Sequence, residues 1–257
     1  MTGLSWQVEV LLYVTTFLAG FLNATVGGGG MLQIPVMMLA LPATPLAVLI
    51  GTSKVAGLPG LTGAGIHFTR KLKPEWPLII RAGLAEIPFA VLGASVATRL
   101  NPAYARPIIL AMLAAMTAHV WLQPRFGEAQ PDKPKKLTGP VPWISGALIG
   151  LYEGFLGSGS GSILIVLFVT VCGLELVGAS VASAMVTLAG VAAAVVTFLA
   201  RKSVLIPLAL HMAAFNIVGS LLGARVVTLR GNTVLRRMLG VVLILLIAKL
   251  GWDMLRG

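Results

Sequence analysis

Long apolar segments separated by short polar loops run along the whole chain. Most of them contain about 20 residues, the length that an α-helix needs to cross the hydrocarbon of a bilayer. The longest polar interruption is the proline-rich, basic stretch 123–140. Ten apolar segments are predicted, at 6–26, 31–40, 43–68, 76–98, 107–122, 141–156, 163–172, 176–200, 206–229 and 235–254. The pattern therefore predicts an all-α polytopic membrane protein.

Two of these segments, 31–40 and 163–172, are about half as long as the others. Ten residues of helix span roughly 15 Å, about half of the hydrocarbon thickness. Each short segment follows a glycine-rich stretch, GGGG at 27–30 or GSGSGS at 157–162. Because each glycine destabilises a helix by about 1 kcal/mol relative to alanine, both stretches are expected to break the helix. The short segments are therefore predicted to be broken or re-entrant half-helices.

The two halves of the chain match at a nearly constant offset, the one that separates Pro77 from Pro207. The other matching features are Arg70-Lys71 with Arg201-Lys202, and Leu92-Gly93-Ala94 with Leu222-Gly223-Ala224. Chance similarity among abundant Gly, Ala and Leu is the alternative explanation. We predict two homologous transmembrane repeats, 1–122 and 141–257, joined by a polar basic linker at 123–140.

The relative orientation of the repeats depends on how the short segments cross the membrane. An odd number of crossings per half makes the repeats inverted, as in many secondary transporters, and this is the expected arrangement. If the short segments are re-entrant, each half crosses four times, and eight spans give parallel repeats. Between eight and ten transmembrane segments are expected. In either case the loop 69–75 and the linker 123–140 share one side, predicted to be cytoplasmic because lysine and arginine collect there.

Composition and charge narrow the functional classes. The chain is 57% hydrophobic and 11% charged, whereas soluble domains are about 25% charged. The net charge of +11 is assigned to membrane topology, and its spread over short loops argues against nucleic-acid binding. The single cysteine, Cys172, allows no internal disulfide. The first segment lacks a positively charged flank and is expected to be a retained helix instead of a secretory signal.

Catalytic and cofactor motifs are absent from the sequence. It contains no P-loop, HExxH pair, aspartate-rich motif or metal-ligand spacing. We therefore predict that the protein is not an enzyme and uses no cofactor or metal. Because no ATPase motif is present, any transport is expected to be driven by a gradient.

The paired helix breaks indicate a binding site. Unpaired backbone amides and carbonyls at membrane depth are tolerated only inside protein or around a wet cavity. The half-helices, expected to start near Met31 and Ile163, would direct their N-terminal amides and positive dipole ends at that cavity. The alternative is that small residues only allow close helix packing. Candidate ligands for an anion near the midplane are Gly27, Gly28, Gly29, Gly30, Gly157, Ser158, Gly159, Ser160, Gly161 and Ser162.

Lys54 lies about ten residues into the third segment. A charge at the centre of a spanning helix costs roughly 2.5–3.5 kcal/mol on insertion scales, so such residues usually face a cavity or a partner. We predict that Lys54 supplies positive charge for an anionic substrate, with Thr52 and Ser53 as hydroxyl donors. The alternatives are an ion pair with a buried carboxylate, Glu86 or Glu153, and snorkelling to the interface.

Four further positions are candidates for coupling or gating. Glu86 lies ten residues into the fourth segment, and a buried glutamate is a candidate proton carrier because burial favours its neutral form. Arg81 lies nearer the interface, where a structural role is also expected. The residues that correspond to Arg81 and Glu86 in the second half are His211 and Asn216. An ionisable residue opposite a neutral polar one suits an asymmetric pathway.

Two polar residues directly precede the breaks. Glu153 lies before the second break, and Asn23 holds the corresponding place before the first, allowing for a one-residue shift. Both are candidates for hydrogen bonds to the unwound backbone. A direct role in binding substrate or a proton is the alternative for Glu153.

The residues around both breaks resemble a known family. The stretch AGFLNATVGGGGMLQIPVMMLALPATPLAVLIGTSK at 19–54 resembles the first half of the TauE/SafE family, also called the toluene sulfonate uptake permease family. In that family G-F-x-[DN]-A-x-x-G-G-G-G precedes an apolar run with proline and then T-[NS]-K. The stretch GLYEGFLGSGSGS at 150–162 is similar to the family's G-x-Y-[DE]-G-F-x-G-x-G-x-G-S. The resemblance covers nearly the whole chain in order and spacing.

The resemblance implies a multi-pass transporter of the bacterial inner membrane. Its implied substrates are small sulfur-containing anions such as sulfite or sulfoacetate, and several family members are thought to export them. The segment 182–190 departs from the pattern, because many relatives carry a lysine or asparagine where this chain has Met185, Val186 and Thr187. The exact substrate therefore stays open. Matched by position are Asn23, Gly27 to Gly30, Thr52, Ser53 and Lys54 in the first motif, and Tyr152, Glu153, Gly157, Gly159, Gly161 and Ser162 in the second.

The function expected from the sequence is a gradient-driven secondary transporter that exports a small sulfur-containing anion. The alternatives are a transporter of a different small organic anion, an uptake permease, and a membrane protein without transport activity. The expected partners are the anion, the lipid bilayer, and protons or sodium as the coupling ion, without nucleic acid. The anion, the direction, the coupling ion and any homo-oligomeric state stay open.

Overall fold

The computed structural model describes residues 5–99, 138–157 and 159–229. All regular structure in these ranges is helical, as predicted. The fifth and tenth predicted segments, 107–122 and 235–254, and nearly all of the linker 123–140 lie outside the described residues. The described helices are α1 Trp6–Val26, α2 Gly29–Ala40, α3 Leu46–Lys71, α4 Trp76–Arg99, α5 Pro140–Phe155, α6 Ser160–Thr170, α7 Leu176–Ala200 and α8 Ile206–Leu229.

Five of these helices, α1, α3, α4, α7 and α8, are long and apolar enough to cross a membrane. The two short helices after the glycine breaks contain 12 and 11 residues, or roughly 17 Å of helix each. Their short length is confirmed, whereas the inverted or re-entrant arrangement stays a prediction. Helix α7 is the most buried of the five, with 61% of its apolar window inside the protein against 39% for α1. It therefore forms the centre of the helix packing.

The predicted starts of the half-helices are wrong by two or three residues. Helix α2 begins at Gly29 and α6 at Ser160, earlier than the expected Met31 and Ile163. The reason lies in capping, because Asn23 Oδ1 accepts a hydrogen bond of 2.9 Å from the Gly29 amide, which satisfies a free donor of the first turn. Two glycines of the GGGG run thus enter the helix.

The chain turns at a left-handed glycine in both breaks. Gly27 and Gly157 each have φ +73°, a conformation that costs L-residues about 1–2 kcal/mol. The Gly27 amide donates to the Leu22 carbonyl at 3.0 Å, and the Gly157 amide donates to the Tyr152 carbonyl at 3.1 Å. These bonds to the residue five positions back close the preceding helix. The chain therefore adopts the same backbone conformation at both breaks.

Glycine-lined contacts cross between the predicted repeats. Because small residues let backbones approach closely, they are enriched where membrane helices pack. On α5, Gly146, Gly150 and Gly154 abut the α4 backbone at Ala82, Glu86 and Ala90. Between α1 and α8, Gly20 abuts Asn216, Gly219 abuts Phe17, and Gly223 abuts Phe21. Helix α5 thus packs on α4, and α1 packs on α8.

We expect Gly154→Ala to lower the free energy of unfolding by about 1–3 kcal/mol. An added Cβ would lie closer than 3.0 Å to the carbonyl of Ala90 in α4, so the two helices would have to separate. Thermal melting in detergent measures the loss. The matched control is Gly178→Ala in α7, where an added Cβ meets no atom within 4 Å, and its effect is expected within about 1 kcal/mol of zero. Equal losses in both variants would contradict the packing account.

Candidate functional site

Lys54 and Glu153 form a buried ion pair between α3 and α5. Lys54 Nζ lies 2.5 Å from Glu153 Oε1, and the residues are only 7% and 2% exposed. Of the two carboxylates offered as partners by the sequence, the structure selects Glu153. A buried charge without a partner is strongly destabilising. Lys54 and Glu153 therefore compensate each other's charge.

The second oxygen of Glu153 lies at the start of half-helix α6. Ser160, the first residue of that helix, donates its hydroxyl to Glu153 Oε2. A carboxylate is favoured there because the N-terminal end of a helix carries partial positive charge. Gly157 lies against both partners, and an added Cβ would come closer than 3.0 Å to Lys54 Nζ and Glu153 Oε1. The second break, the lysine and the glutamate therefore form one compact cluster.

A cavity of about 40 Å³ opens beside this ion pair. Its volume suits about two or three water molecules. Six of the described helices contribute to its wall, so it lies at the meeting point of both half-helices with α1, α3, α5 and α7. The lining residues are Asn23, Gly30, Gln33, Ile34, Ser53, Lys54, Gly57, Leu61, Glu153, Leu156, Gly157, Ser160, Thr187 and Val191.

A smaller cavity of about 10 Å³ lies beside the two breaks and shares Asn23, Leu61 and Thr187 with the wall of the larger one. Many of its lining residues correspond to those of the larger cavity at the same offset that relates Pro77 to Pro207. The pairs are Asn23 with Glu153, Gly27 with Gly157, Ser183 with Ser53, Ala184 with Lys54, Thr187 with Gly57, and Leu61 with Val191. The larger cavity carries the lysine and the glutamate, whereas the smaller one has alanine and asparagine in their places. Asn23 and Glu153 match at this offset without the expected one-residue shift.

The two breaks touch each other directly. An added Cβ on Gly27 would lie 2.6 Å from the Gly161 Cα, and one on Gly161 would lie 2.7 Å from the Gly27 Cα. Hydroxyls from α6 and α7 donate to carbonyls at the end of α1 and at the start of α6. Ser162 donates to Val26, Ser180 to Thr25, and Ser183 to Gly161, at 2.6–2.8 Å. Ser162 therefore serves the broken backbone in this conformation.

The structure brings together seven of the residues predicted to bind substrate. Asn23, Gly30, Ser53, Lys54, Glu153, Gly157 and Ser160 line the larger cavity. Gly27 and Gly161 line the smaller one. Gly28, Gly29 and Gly159 form the starts of the half-helices, and Ser158 lies outside the described residues.

Thr52 and Tyr152 line neither cavity. The Thr52 hydroxyl donates to the Val48 carbonyl at 2.6 Å and accepts the Leu205 amide at 2.9 Å. It therefore ties α3 to the connection before α8. Tyr152 packs against a small apolar cluster that includes Ile34. Both residues therefore contribute to the packing around the site and do not line it.

Glu86 is fully buried, and neither of its carboxylate oxygens has a hydrogen-bond partner among the described residues. It packs against Gly150 of α5 and Gly190 of α7. Its counterpart Asn216 packs equivalently, against Gly20 and Gly60.

Asn216 differs from Glu86 in being hydrogen-bonded on both sides of its amide. Its Nδ2 donates to the Thr16 carbonyl at 3.3 Å, and its Oδ1 accepts from Ser220 at 3.2 Å. None of the four coupling candidates lines either cavity. Arg81 Nη1 lies 3.5 Å from the Pro77 carbonyl, and His211 is exposed with Nδ1 at 2.8 Å from the Pro207 carbonyl.

Two polar residues of the larger cavity were missing from the predicted site. Gln33 is 3% exposed, and its amide donates to the Thr16 hydroxyl at 3.3 Å. It is the only side chain with an amide in the apolar half-helix α2, which is the signal that could have identified it. Thr187 borders both cavities, and its hydroxyl has no hydrogen-bond partner among the described residues. It lies in the segment already noted as departing from the family pattern.

Comparison with known proteins identifies the family. The family profile described as "Sulfite exporter TauE/SafE" matches residues 12–250. The chain belongs to the TauE/SafE family. The resemblance read from the two glycine motifs is thereby confirmed, and both cavities lie inside the matched region.

Relatives within the TauE/SafE family are named as transporters. The chain is 29% identical over 255 residues to the probable membrane transporter protein ORF9 of Sinorhizobium sp, covering 97% of this chain and 95% of that one. It is 27% identical to a probable membrane transporter protein of Haemophilus influenzae (95% and 94% covered) and to YfcA of Escherichia coli K12 (95% and 89% covered). No solved structure gives a significant match.

As a member of the TauE/SafE family, the protein is a membrane transporter and not an enzyme. In the described residues, five helices are long and apolar enough to span a membrane, in agreement with the predicted location as a multi-pass protein of the inner membrane.

Proposed function

We propose that the protein is a gradient-driven secondary transporter that exports a small sulfur-containing anion, such as sulfite or sulfoacetate. The substrate binds beside Lys54, near the bilayer midplane and between the two predicted repeats. The observation that carries the proposal is a buried lysine at a cavity where both half-helices begin. The sulfur-anion class is taken from the family description.

The chemistry of the cavity suits an anion. Lys54 supplies a full positive charge, and the N-terminal end of α6 supplies oriented amides beside it. Ser53 and Ser160 add hydroxyls on the same wall. Because the cavity is buried, each of these interactions is stronger than it would be in water. The cavity in this conformation is small, which favours a compact oxyanion.

The paired cavities support a transport cycle built on two repeats. The same contacts occur twice, at positions separated by the offset between Pro77 and Pro207. They recur at the two breaks, and at Glu86 and Asn216. The packing of α1 on α8 likewise repeats that of α5 on α4. In this proposal the repeats are inverted and rock against each other around the Gly27–Gly161 contact, as alternating access requires. Of the two cavities described above, the larger one carries the charged residues, so the two repeats share one anion-binding site.

Flux measurements in proteoliposomes test the proposed function. Radiolabelled sulfite and sulfoacetate, together with a panel of carboxylates that lack sulfur, are followed under imposed pH and sodium gradients. We expect saturable flux of a sulfur anion that exceeds flux in protein-free vesicles. Preferential flux of a carboxylate would transfer the proposal to a different organic anion. Absence of flux for every anion under every gradient would refute it.

We further propose that Glu86 carries the coupling proton. The charges of Lys54 and Glu153 act on it, and its own oxygens have no hydrogen-bond partner among the described residues. A neutral carboxylic acid is the form that such an apolar site favours. A proton that enters or leaves Glu86 therefore alters the charge balance of the anion site.

We expect Glu86→Gln to retain flux down an anion gradient and to show a weaker stimulation by a pH gradient, because glutamine has the shape of the neutral acid but cannot release a proton. Paired flux measurements with and without an imposed pH gradient measure this difference. Glu175→Gln, which removes an exposed carboxylate at the start of α7, is the matched control and should behave as the wild type. Unchanged pH stimulation in Glu86→Gln would exclude Glu86 as the carrier.

A further inference from the structure

The anion position beside Lys54 is occupied by a carboxylate of the chain itself. Glu153 Oε1 lies 2.5 Å from Lys54 Nζ, and Oε2 accepts the Ser160 hydroxyl at the start of α6. The lysine, the hydroxyl and the helix end are the groups that a bound anion would use. An anion and the Glu153 carboxylate therefore cannot hold this position together.

We propose that Glu153 is an internal competitor for the substrate. Its carboxylate occupies Lys54 while the site is empty of substrate, and an anion binds by displacing it. This inference rests on the proposed anion transport through the same site.

The smaller cavity shows that helix capping alone does not require a carboxylate. Asn23, at the place equivalent to Glu153, serves the start of α2 with a neutral amide. Its cavity has Ala184 where the larger one has Lys54. The two charges are thus present together in one cavity and absent together in the other. This pattern indicates that the negative charge of Glu153 is needed to compensate Lys54 and not to cap the helix.

Exchange between two anionic partners keeps Lys54 paired throughout the cycle. An ammonium group left alone in this buried site would be strongly unfavourable. With Glu153 on the lysine in one state and the substrate in the other, neither state contains such a group. Competition between Glu153 and the substrate therefore follows from the charge of the site.

The displaced Glu153 carboxylate would lie beside the negative charge of the bound anion and is expected to take up a proton. The titratable groups that act on Glu153 are Lys54 on α3, Glu86 on α4 and its neighbour Tyr152 on α5. The cavity-lining residues of the other helices in the described ranges are not titratable near neutrality, and the polar ones are Asn23, Gln33, Ser160 and Thr187. Anion binding and proton uptake are therefore expected to occur together.

Calorimetric titration of sulfoacetate into the detergent-solubilised protein tests the proposal. We expect Glu153→Gln to bind sulfoacetate at least about tenfold more tightly than the wild type, the scale of a hydrogen bond to a charged group. Titrations in buffers of different ionisation enthalpy should reveal proton uptake in the wild type and none in Glu153→Gln. Glu175→Gln removes an exposed carboxylate and should retain wild-type affinity and proton uptake.

The outcomes separate this inference from the proposed function. Equal affinity and equal proton uptake in the wild type and Glu153→Gln would overturn the competitor role, while anion transport would stand. Absence of sulfoacetate binding in both, with no flux of any anion, would overturn both proposals. Glutamine keeps the side-chain length, and its carbonyl oxygen can still accept from Lys54 while its amide donates to the Ser160 hydroxyl. If Glu153→Gln nevertheless does not fold, the buffer dependence of the wild type decides alone, and its absence counts against the proposal.

Discussion

Lys54→Met is expected to abolish anion binding and to lower the free energy of unfolding by about 3–5 kcal/mol. Methionine has a similar length but no charge, so Glu153 is left as a buried carboxylate with only Ser160 as its partner in the described part of the chain. Removing one member of a buried ion pair costs more than the pair contributes, because the remaining charge has no compensation. Sulfoacetate titration and denaturant unfolding in detergent measure the two effects.

The double variant Lys54→Met/Glu153→Gln separates binding from stability. Because neither buried charge remains, its unfolding free energy is expected to return to within about 1 kcal/mol of the wild type. Anion binding is expected to stay absent, since no cation faces the cavity. If the double variant bound sulfoacetate as the wild type does, Lys54 would have no place in the binding site.

Gly27→Ala is expected to lower the free energy of unfolding by about 2–5 kcal/mol and to abolish transport. Two costs combine at this position. The left-handed φ of +73° disfavours alanine by about 1–2 kcal/mol, and the new methyl group would lie closer than 3.0 Å to the Gly161 backbone, an overpacking that typically costs about 1–3 kcal/mol. Thermal melting and proteoliposome flux measure the result.

Gly139→Ala measures the cost of a positive φ at a glycine without a close contact. Gly139 has φ +96° and ψ −163°, a region restricted to glycine more strictly than the αL conformation of Gly27, but an added Cβ meets no atom within 4 Å. The Gly139→Ala variant is therefore expected to lose only the part of the free energy of unfolding that comes from backbone conformation, and to transport normally. A loss in Gly27→Ala no larger than its conformational cost of about 1–2 kcal/mol would show that the contact between the breaks tolerates a side chain.

The location of the breaks could be predicted because glycine acts locally. The runs at 27–30 and 157–162 interrupt the helices as expected, and the short segments after them are helical. The first helical residues could not be predicted, since capping decides them. Asn23 lies six residues before the Gly29 amide that it binds, and this contact depends on how the break folds back.

The partner of Lys54 could be narrowed to two residues but not chosen. Burial of a lysine indicates that an anionic partner exists. It does not indicate which one, because Glu153 is 99 residues away along the chain and only tertiary packing brings the two together. The serines illustrate the same limit. Ser160 binds Glu153, whereas Ser162 binds the Val26 carbonyl, although both look alike in the repeated GSGSGS stretch.

The contact between α1 and α8 also sets a demand on how the protein is made. The hydrogen bonds from Asn216 to Thr16 and from Ser220 to Gly20 each join residues 200 positions apart. At a synthesis rate of about 5–20 residues per second, the first helix waits roughly 10–40 s before its partner leaves the ribosome. During this time the face of α1 that carries Thr16 and Gly20 lacks its α8 partner, although Gln33 of α2 already reaches Thr16. Biogenesis of this transporter therefore depends on a face of α1 that stays stable in the membrane until α8 has been made.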